Sequence, residues 1–217
     1  MDGAMSAETR ITLRADGPLA VTSPPEIRKG DGTVIEARQV AALCRCGRSS
    51  NKPFCDGTHK KIGFSSAPDH SKIRNSEIRY SGEVEGQQVT ISYTPVLCSH
   101  AGECSARAGA VFNPSAKPWI TPENGTVEGI LEVMAACPSG ALRVSVGDTE
   151  AAHLTRGDVG IEVEKDGPYR VRNVPLEAEF NSVGSSPAKY VLCRCGQSKN
   201  KPFCDGTHYD VKWRDES

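Results

Sequence analysis

The sequence is poor in aromatic residues, has no long apolar run and has no excess of charge of either sign. Aromatic residues make up 6 % of its 217 residues, which is little material for one large hydrophobic core. No apolar segment approaches the roughly 20 residues that a membrane-spanning helix needs. Lysine and arginine (26) nearly balance aspartate and glutamate (27), so the chain lacks the field that gathers nucleic acid or an anionic membrane. We therefore expect no nucleic-acid partner and no membrane partner.

Cysteine, in contrast, is plentiful. The nine cysteines form three groups of three: Cys44, Cys46 and Cys55; Cys98, Cys104 and Cys137; Cys193, Cys195 and Cys204. The opening segment MDGAMSAETR has the composition of neither a secretory signal nor a transit peptide, which predicts a cytoplasmic protein. An odd number of cysteines without an export signal argues against a disulfide framework and favours metal ligands or redox thiols.

An internal repeat organises the chain. The segment CRCGRSSNKPFCDGTH begins at residue 44, and CRCGQSKNKPFCDGTH begins 149 residues later, at 193. A weaker similarity lies upstream, where ITLRADGPLAV from Ile11 aligns with IEVEKDGPYRV from Ile161 at an offset of 150. Because the similarity extends beyond the motif, each copy is predicted to be a small domain in which alternating segments form strands around Asp-Gly-Pro turns.

The segment between the copies has a different pattern. Gln88–Val96 and Leu142–Val146 are predicted to be strands. In Val127–Ala136 apolar residues recur at helical spacing, which predicts a helix with one buried stripe. The polar stretches Ser65–Asn75 and Gly147–Asp158 indicate the boundaries of this segment.

The spacing within each motif suits a metal centre. When the backbone of an extended loop curls, Cys44 and Cys46 can point the same way and share one metal. Cys55 and His59 are four residues apart, which is one face of a helical turn, so both can meet a second metal. Asp56 suits the N-cap of that turn. Three cysteines and one histidine are also a legitimate zinc set, although zinc sites usually present a C-x₂₋₄-C knuckle rather than C-x-C.

Both motifs resemble the CDGSH iron–sulfur family. Each copy satisfies the family pattern, including Ser49 and Pro53 in the first copy and Ser198 and Pro202 in the second, with threonine where the family name has serine. The resemblance implies one 2Fe–2S cluster in each copy, held by three cysteines and one histidine. The implied ligands are Cys44, Cys46, Cys55 and His59 in the first copy, and Cys193, Cys195, Cys204 and His208 in the second.

The middle segment resembles two kinds of single-cluster ferredoxin. CSHAGEC at 98–104 and a later Cys137-Pro138 match C-x₂-A-x₂-C…C-P, the pattern of ferredoxins that carry a 3Fe–4S cluster. The stretches Val111–Phe112, Pro118–Ile120 and Cys137–Leu142 are similar to the divergent mono-cluster ferredoxin domain. The resemblance implies Cys98, Cys104 and Cys137 as ligands. His100 is a candidate fourth ligand for a 4Fe–4S cluster or simply a solvated side chain, and a cluster-free fold with structural cysteines is the alternative for the whole segment.

Together these features predict an α+β protein. Two small β-rich CDGSH units, residues 1–75 and 149–217, are expected to flank a ferredoxin-like βαββαβ domain, residues 76–148. Because the family often pairs its units as dimers, we expect the two copies to pair within a monomer about a pseudo-twofold axis.

The expected function is electron transfer with an unidentified redox partner. A cluster store or donor that serves an apo-acceptor protein is the alternative, and a structural zinc protein is a third possibility. A substrate-converting enzyme is not expected, because neither a nucleophile–base pair nor a phosphate-binding loop accompanies the cysteines.

Overall fold

The computed structural model describes residues 8–69, 75–155 and 157–215. The first copy contains β1 (Arg10–Leu13), β2 (Leu19–Thr22), β3 (Ile27–Lys29), β4 (Val34–Ile35), β5 (Val40–Leu43) and α1 (Thr58–Lys61). The middle segment contains β6 (Ile78–Val84), β7 (Gln87–Tyr93), α2 (Glu103–Arg107), α3 (Val127–Ala136) and β8 (Leu142–Val146). The second copy contains β9 (Gly160–Val163), β10 (Tyr169–Arg172), β11 (Leu176–Glu177), β12 (Lys189–Leu192) and α4 (Thr207–Asp210). The predicted α+β class is confirmed, with sheets predominating.

The two copies exchange strands. In the first sheet the order is β11-β1-β2-β5, so a strand of the second copy lies beside β1. In the second sheet the order is β12-β10-β9-β3-β4, so a strand of the first copy lies beside β9. Both exchanged pairs are parallel, with Ile11 opposite Leu176 and Ile27 opposite Ile161. The exchange is therefore reciprocal.

One hydrophobic core serves both copies. Its buried members alternate along the strands and come from each half: Ile11, Leu19, Val21, Ile27 and Leu43 from the first copy, and Ile161, Tyr169, Val171, Leu192 and Phe203 from the second. Because these side chains pack in a single cluster, neither copy buries its apolar face by itself. The offset between the copies changes from 150 to 149 after β2. The connection that follows β2 has four residues, 23–26, and the corresponding connection of the second copy has three, 173–175.

The middle segment forms a separate sheet and core. Strands β6, β7 and β8 make a three-stranded antiparallel sheet in that order. Helix α3 packs on it through Ile130, Val133 and Met134, and the Thr126 side chain accepts a hydrogen bond from the Gly129 amide at its N-terminus. The predicted bounds of α3 and β8 are confirmed.

The predicted βαββαβ order of the middle domain is not confirmed. The described order is β6-β7-α2-α3-β8. Glu85 and Gly86 join β6 to β7 with φ of 52° and 76°, the two-residue hairpin geometry that leaves no room for a crossover helix. Strand β6 is not among the predicted strands, although the Glu-Gly pair between two alternating segments is a signal of this hairpin.

The boundaries at residues 75/76 and 148/149 stay a prediction, and part of the first polar joint, residues 70–74, lies outside the described residues. No helix of the described residues is long and apolar enough to cross a bilayer.

Candidate metal centres

The first motif is a loop whose ends are fastened to β5. The Cys44 amide donates to the Pro53 carbonyl at 2.8 Å, and the Cys55 amide donates to the Ala42 carbonyl at 2.7 Å. The Sγ atoms of Cys44 and Cys46 lie 3.7 Å apart. Two sulfurs bound to one tetrahedral metal with bonds of about 2.3 Å lie roughly 3.8 Å apart. The pair is therefore spaced for a shared metal.

Cys55 and His59 form the second pair of this motif. The Cys55 Sγ lies 3.2 Å from the His59 Nδ1, with His59 buried in α1. Gly57, with φ of 86°, is the N-cap of α1, so the predicted N-cap at Asp56 is one residue off. The Asp56 carboxylate nevertheless accepts from the Thr58 amide and from the Ser50 amide. These hydrogen bonds, led by the one from Ser50, hold the pKa of Asp56 well below its usual range.

The second motif repeats this arrangement. The Sγ atoms of Cys193 and Cys195 are 3.7 Å apart, and the Cys204 Sγ lies 3.4 Å from the His208 Nδ1. Asp205 accepts from the amides of Lys199 and Thr207. The structure thus brings together the four predicted ligands of each copy as two pairs.

A hydrogen bond between the two thiols of each C-x-C pair moves their pKa values apart. The hydrogen bond between Cys44 and Cys46 lowers the pKa of Cys44 to about 5 and, together with burial, raises the pKa of Cys46. The same contact lowers the pKa of Cys195 and raises that of Cys193. In residues 8–69, 75–155 and 157–215 no group of three or more candidate ligands converges on a single metal ion. Two pairs per motif suit a centre with two metals.

The three predicted ligands of the middle segment line one cavity. Cys98, Cys104 and Cys137 line one small cavity together with Tyr93, Ala101 and Trp119. The rings of Tyr93 and Trp119 pack edge to face at 4.9 Å and close one side of it. Burial raises the pKa of Cys98 and of Cys104. Ala101 lies at the position where a four-cysteine site would carry its middle cysteine.

His100 lines the same cavity but reaches the second CDGSH motif. It has φ of 57°, in the left-handed region. A Cβ atom at position 206 would overlap its imidazole, so the ring lies directly on Gly206. The His100 and Tyr209 rings are 6.3 Å apart. The fourth-ligand role of His100 stays a prediction, whereas its contact with the second motif was not expected from sequence.

Comparisons with known proteins identify the same three segments of the chain. A model described as "Iron-binding zinc finger CDGSH type" matches residues 16–60 and 166–209, and one described as "Divergent 4Fe-4S mono-cluster" matches residues 84–147. The chain is 36 % identical over 58 residues to the uncharacterized protein YjdI of Escherichia coli K12, which is 27 % of this chain and 76 % of that protein. The chain belongs to the CDGSH iron–sulfur family. Its mid-section is a divergent mono-cluster domain.

Other relatives carry the family name. A CDGSH iron-sulfur domain-containing protein 2 homolog of Drosophila ananassae is 30 % identical over 104 residues, which is 46 % of this chain and 67 % of that protein. The rat CDGSH iron-sulfur domain-containing protein 1 is 36 % identical over 63 residues, 29 % of this chain and 50 % of that protein. The CDGSH and mono-cluster assignments make this an iron–sulfur protein.

A buried arginine supports each motif of this CDGSH protein. The Arg45 Nε donates to the Gly17 carbonyl at 2.7 Å, and the Arg194 Nε donates to the Gly167 carbonyl at 2.8 Å. Each guanidinium also donates to the carbonyl of the residue two positions before the turn's aspartate, Arg14 in the first copy and Glu164 in the second. Sequence reasoning missed these residues, although the identical arginine in both C-R-C segments was a signal.

The second copy of the CDGSH protein also supports the loop of the first. The Tyr169 hydroxyl lies 2.7 Å from the Cys44 carbonyl and 3.0 Å from the Pro53 carbonyl. The Trp213 indole N–H donates to the Gly47 carbonyl at 3.3 Å. The equivalent positions in the first copy are Leu19 and Phe64, which have no side-chain donor. The two sites therefore have the same motif and different supports.

Lys189 joins the mono-cluster domain to the second CDGSH copy. This lysine of β12 is 2 % exposed, and its ammonium donates to the carbonyls of Met134 in α3 and Leu154. Helix α3 leads into Cys137, so the contact fixes the end of the helix beside the middle site. The equivalent residue of the first copy is the exposed Val40.

Proposed function

We propose that this CDGSH protein is an electron-transfer protein that holds two 2Fe–2S clusters and one further cluster. The observation that carries the proposal is the pairing of ligands: in each motif two cysteines lie 3.7 Å apart and a cysteine faces a histidine nitrogen at 3.2 or 3.4 Å. Three cysteines around a separate cavity provide the third site. Several redox centres in one chain favour electron transfer over structural metal binding.

The proposed ligands follow from this pairing. Cys44, Cys46, Cys55 and His59 hold the first 2Fe–2S cluster, and Cys193, Cys195, Cys204 and His208 hold the second. Such clusters supply one-electron chemistry when bound, and histidine in place of cysteine raises their potential. Backbone amides near the thiolates, such as Gly57 to Cys55 and Gly206 to Cys204, donate hydrogen bonds that favour the charged sulfur.

The middle site is proposed to hold a 3Fe–4S cluster on Cys98, Cys104 and Cys137. His100 lines the same cavity, so its imidazole is the proposed fourth ligand if the site takes a 4Fe–4S cluster. The protein is proposed to act as a monomer, since strands of one copy cover strand edges of the other. A reducing compartment such as the cytoplasm is proposed because none of the nine cysteines is in a disulfide.

A second candidate function is the storage or donation of clusters to an apo-acceptor protein. It is favoured by the exposure of the first site, where Cys55 is half-buried and Asp56 is exposed. A histidine ligand can be protonated, which makes a cluster easier to release.

Metal analysis and electron paramagnetic resonance test the proposal. Purified protein should contain iron and acid-labile sulfide in near-equal amounts, and the as-isolated protein should give the signal of an oxidised 3Fe–4S cluster. Zinc without sulfide would overturn the iron–sulfur assignment of these sites.

Kinetics separate the two functions. Under electron transfer, a chemically reduced sample should pass electrons to a redox protein while its iron content stays constant. If clusters move to apo-ferredoxin faster than electrons reach any redox partner, the donor function is the correct one.

A further inference from the structure

The two CDGSH sites differ in what covers them. The second is covered by the mono-cluster domain: His100 lies on Gly206, and the Asn200 side chain donates to the Val96 carbonyl at 3.4 Å. Cys204 is accordingly buried. At the first site Cys55 is half-buried, and no described atom lies within 4 Å of the place where a Cβ of Gly57 would be. The first site is the more accessible of the two.

Most of the exposed charged side chains on the first motif are basic. Arg48, Lys60 and Lys61 are exposed and Lys52 is half-buried, all on the loop and helix that carry the predicted ligands. Their equivalents in the second copy are Gln197, Tyr209, Asp210 and Lys201. The positive charge is thus concentrated where the site is open.

Little on the same segment offsets this charge. Asp56 is the acidic residue of the loop and α1, and its carboxylate is engaged by the amides of Ser50 and Thr58. Ile62, which follows α1, is 48 % exposed and places an apolar side chain next to the two lysines in the sequence. We call Arg48, Lys52, Lys60, Lys61 and Ile62 the first-motif face.

We propose that the first-motif face is the docking surface for an acidic redox protein. This rests on the proposed electron-transfer function. An accessible site with cations on its loop and helix attracts a negatively charged partner and orients it during encounter, and an exposed apolar residue among polar ones is a common feature of such contacts. The chain as a whole has a net charge of −1, so the attraction is local to this face rather than general to the molecule.

Charge reversal in the full-length protein tests the proposal. The variant Lys60→Glu/Lys61→Glu changes the first-motif face, and Lys199→Glu/Lys212→Glu makes the same charge change at exposed positions of the second copy. Binding of an acidic flavodoxin is measured by surface plasmon resonance at low and at high salt. We expect the first variant to lower the association rate roughly tenfold at low salt and the matched control to change it less than roughly twofold. The difference should shrink as salt screens the charges.

Several results would overturn the docking surface. These are absence of flavodoxin binding, equal losses in both variants, tighter binding of the basic cytochrome c than of flavodoxin, or tighter binding to anionic vesicles or DNA. Circular dichroism of both variants verifies that the fold is kept.

Cluster content separates this proposal from the proposed function. Iron, sulfide and visible absorbance are measured on the same samples. A protein that lacks clusters but docks flavodoxin through Lys60 and Lys61 keeps the docking surface and rejects electron transfer. A protein that carries clusters but ignores flavodoxin rejects only the docking surface.

Discussion

At the residue scale, Gly57 and Gly206 provide a matched comparison of the two sites. Both precede the short helix of their motif and have nearly the same φ, 86° and 85°. Only Gly206 lies under the His100 ring, whereas no described atom lies within 4 Å of the place where a Cβ of Gly57 would be. Backbone strain is therefore nearly the same at both positions, and the His100 contact is the expected source of a difference between them.

We expect Gly57→Ala to cost about 1–2 kcal/mol, because an alanine in the left-handed region is strained. Gly206→Ala should cost roughly 1–3 kcal/mol more, because its methyl group must displace His100. Guanidinium denaturation of both variants measures the difference. Adding His100→Ala to the second variant should remove most of the excess, and equal costs for the two single variants would show that the contact contributes nothing.

The two proposed histidine ligands give a second prediction at this scale. His59→Cys together with His208→Cys should lower both CDGSH reduction potentials, because thiolate stabilises the oxidised cluster more than imidazole does. Each single variant should lower one potential and serves as the control for the other. Spectroscopic redox titration measures this, and unchanged potentials in the double variant would contradict the ligand assignment.

His153 gives a prediction for pH. Burial, then the charges of Lys189 and Arg143, lower its pKa to about 4 from 6.5, while the hydrogen bond that its ring donates to the Gly184 carbonyl acts in the opposite direction. Its Nδ1 is buried and has no hydrogen-bond partner among the described residues. The unfolded chain therefore takes up a proton at a higher pH than the folded protein does.

As pH falls from about 6.5 to about 4, this difference should lower the free energy of unfolding, and above pH 6.5 it should have no effect. His153→Gln should make that part of the stability curve flatter. Urea denaturation of the variant and the parent at several pH values measures it. Parallel curves for the two proteins would mean that His153 titrates normally.

At the element scale, the exchanged strands are the main connection between the two copies. Strand β3 leaves its own copy and pairs with β9, and its Ile27 side chain is 1 % exposed in the shared core. Its other neighbour, β4, carries Val34, which is 50 % exposed. The same short hairpin therefore offers a buried and an exposed position for comparison.

Ile27→Ala should destabilise the protein by about 2–4 kcal/mol, because it leaves a cavity in the core that both copies share. Val34→Ala should change stability by less than about 0.5 kcal/mol. Chemical denaturation followed by far-ultraviolet circular dichroism and by cluster absorbance measures both. Loss of only one copy's cluster in the Ile27 variant would contradict a common core.

Local patterns predicted some elements well and others poorly. Helix α3 and strand β8 have a clear period and a turn at each end, and the structure has them at the expected residues. Strand β6 also alternates, in sequence and in burial, but it is not among the strands predicted from the sequence. The strand exchange has no local signal, because its partners are far apart along the chain.

At the scale of the whole molecule, the exchange occupies strand edges that could otherwise pair with another chain. Strand β1 is covered by β11 and β9 is covered by β3, all from one chain. We therefore expect a monomer, with the two copies related by a pseudo-twofold axis. Sedimentation velocity at micromolar protein should give the mass of a single chain, and an obligate dimer would contradict this.

The sequence by itself determined the chemistry of this protein. The spacing of Cys44, Cys46, Cys55 and His59 and its repetition 149 residues later are local, so they predict the paired ligands without knowledge of the fold. The helical spacing of apolar residues likewise predicts the position and the bounds of α3.

The tertiary structure alone decided how the sites are arranged. It decided the pairing of Ile11 with Leu176 and of Ile27 with Ile161, the placement of His100 on Gly206, and the burial of Lys189 beside α3. Each of these joins residues far apart along the chain, and each depends on the packing of whole elements rather than on a local period. For that reason two nearly identical motifs come to have different surroundings, one covered by the mono-cluster domain and one open to solvent.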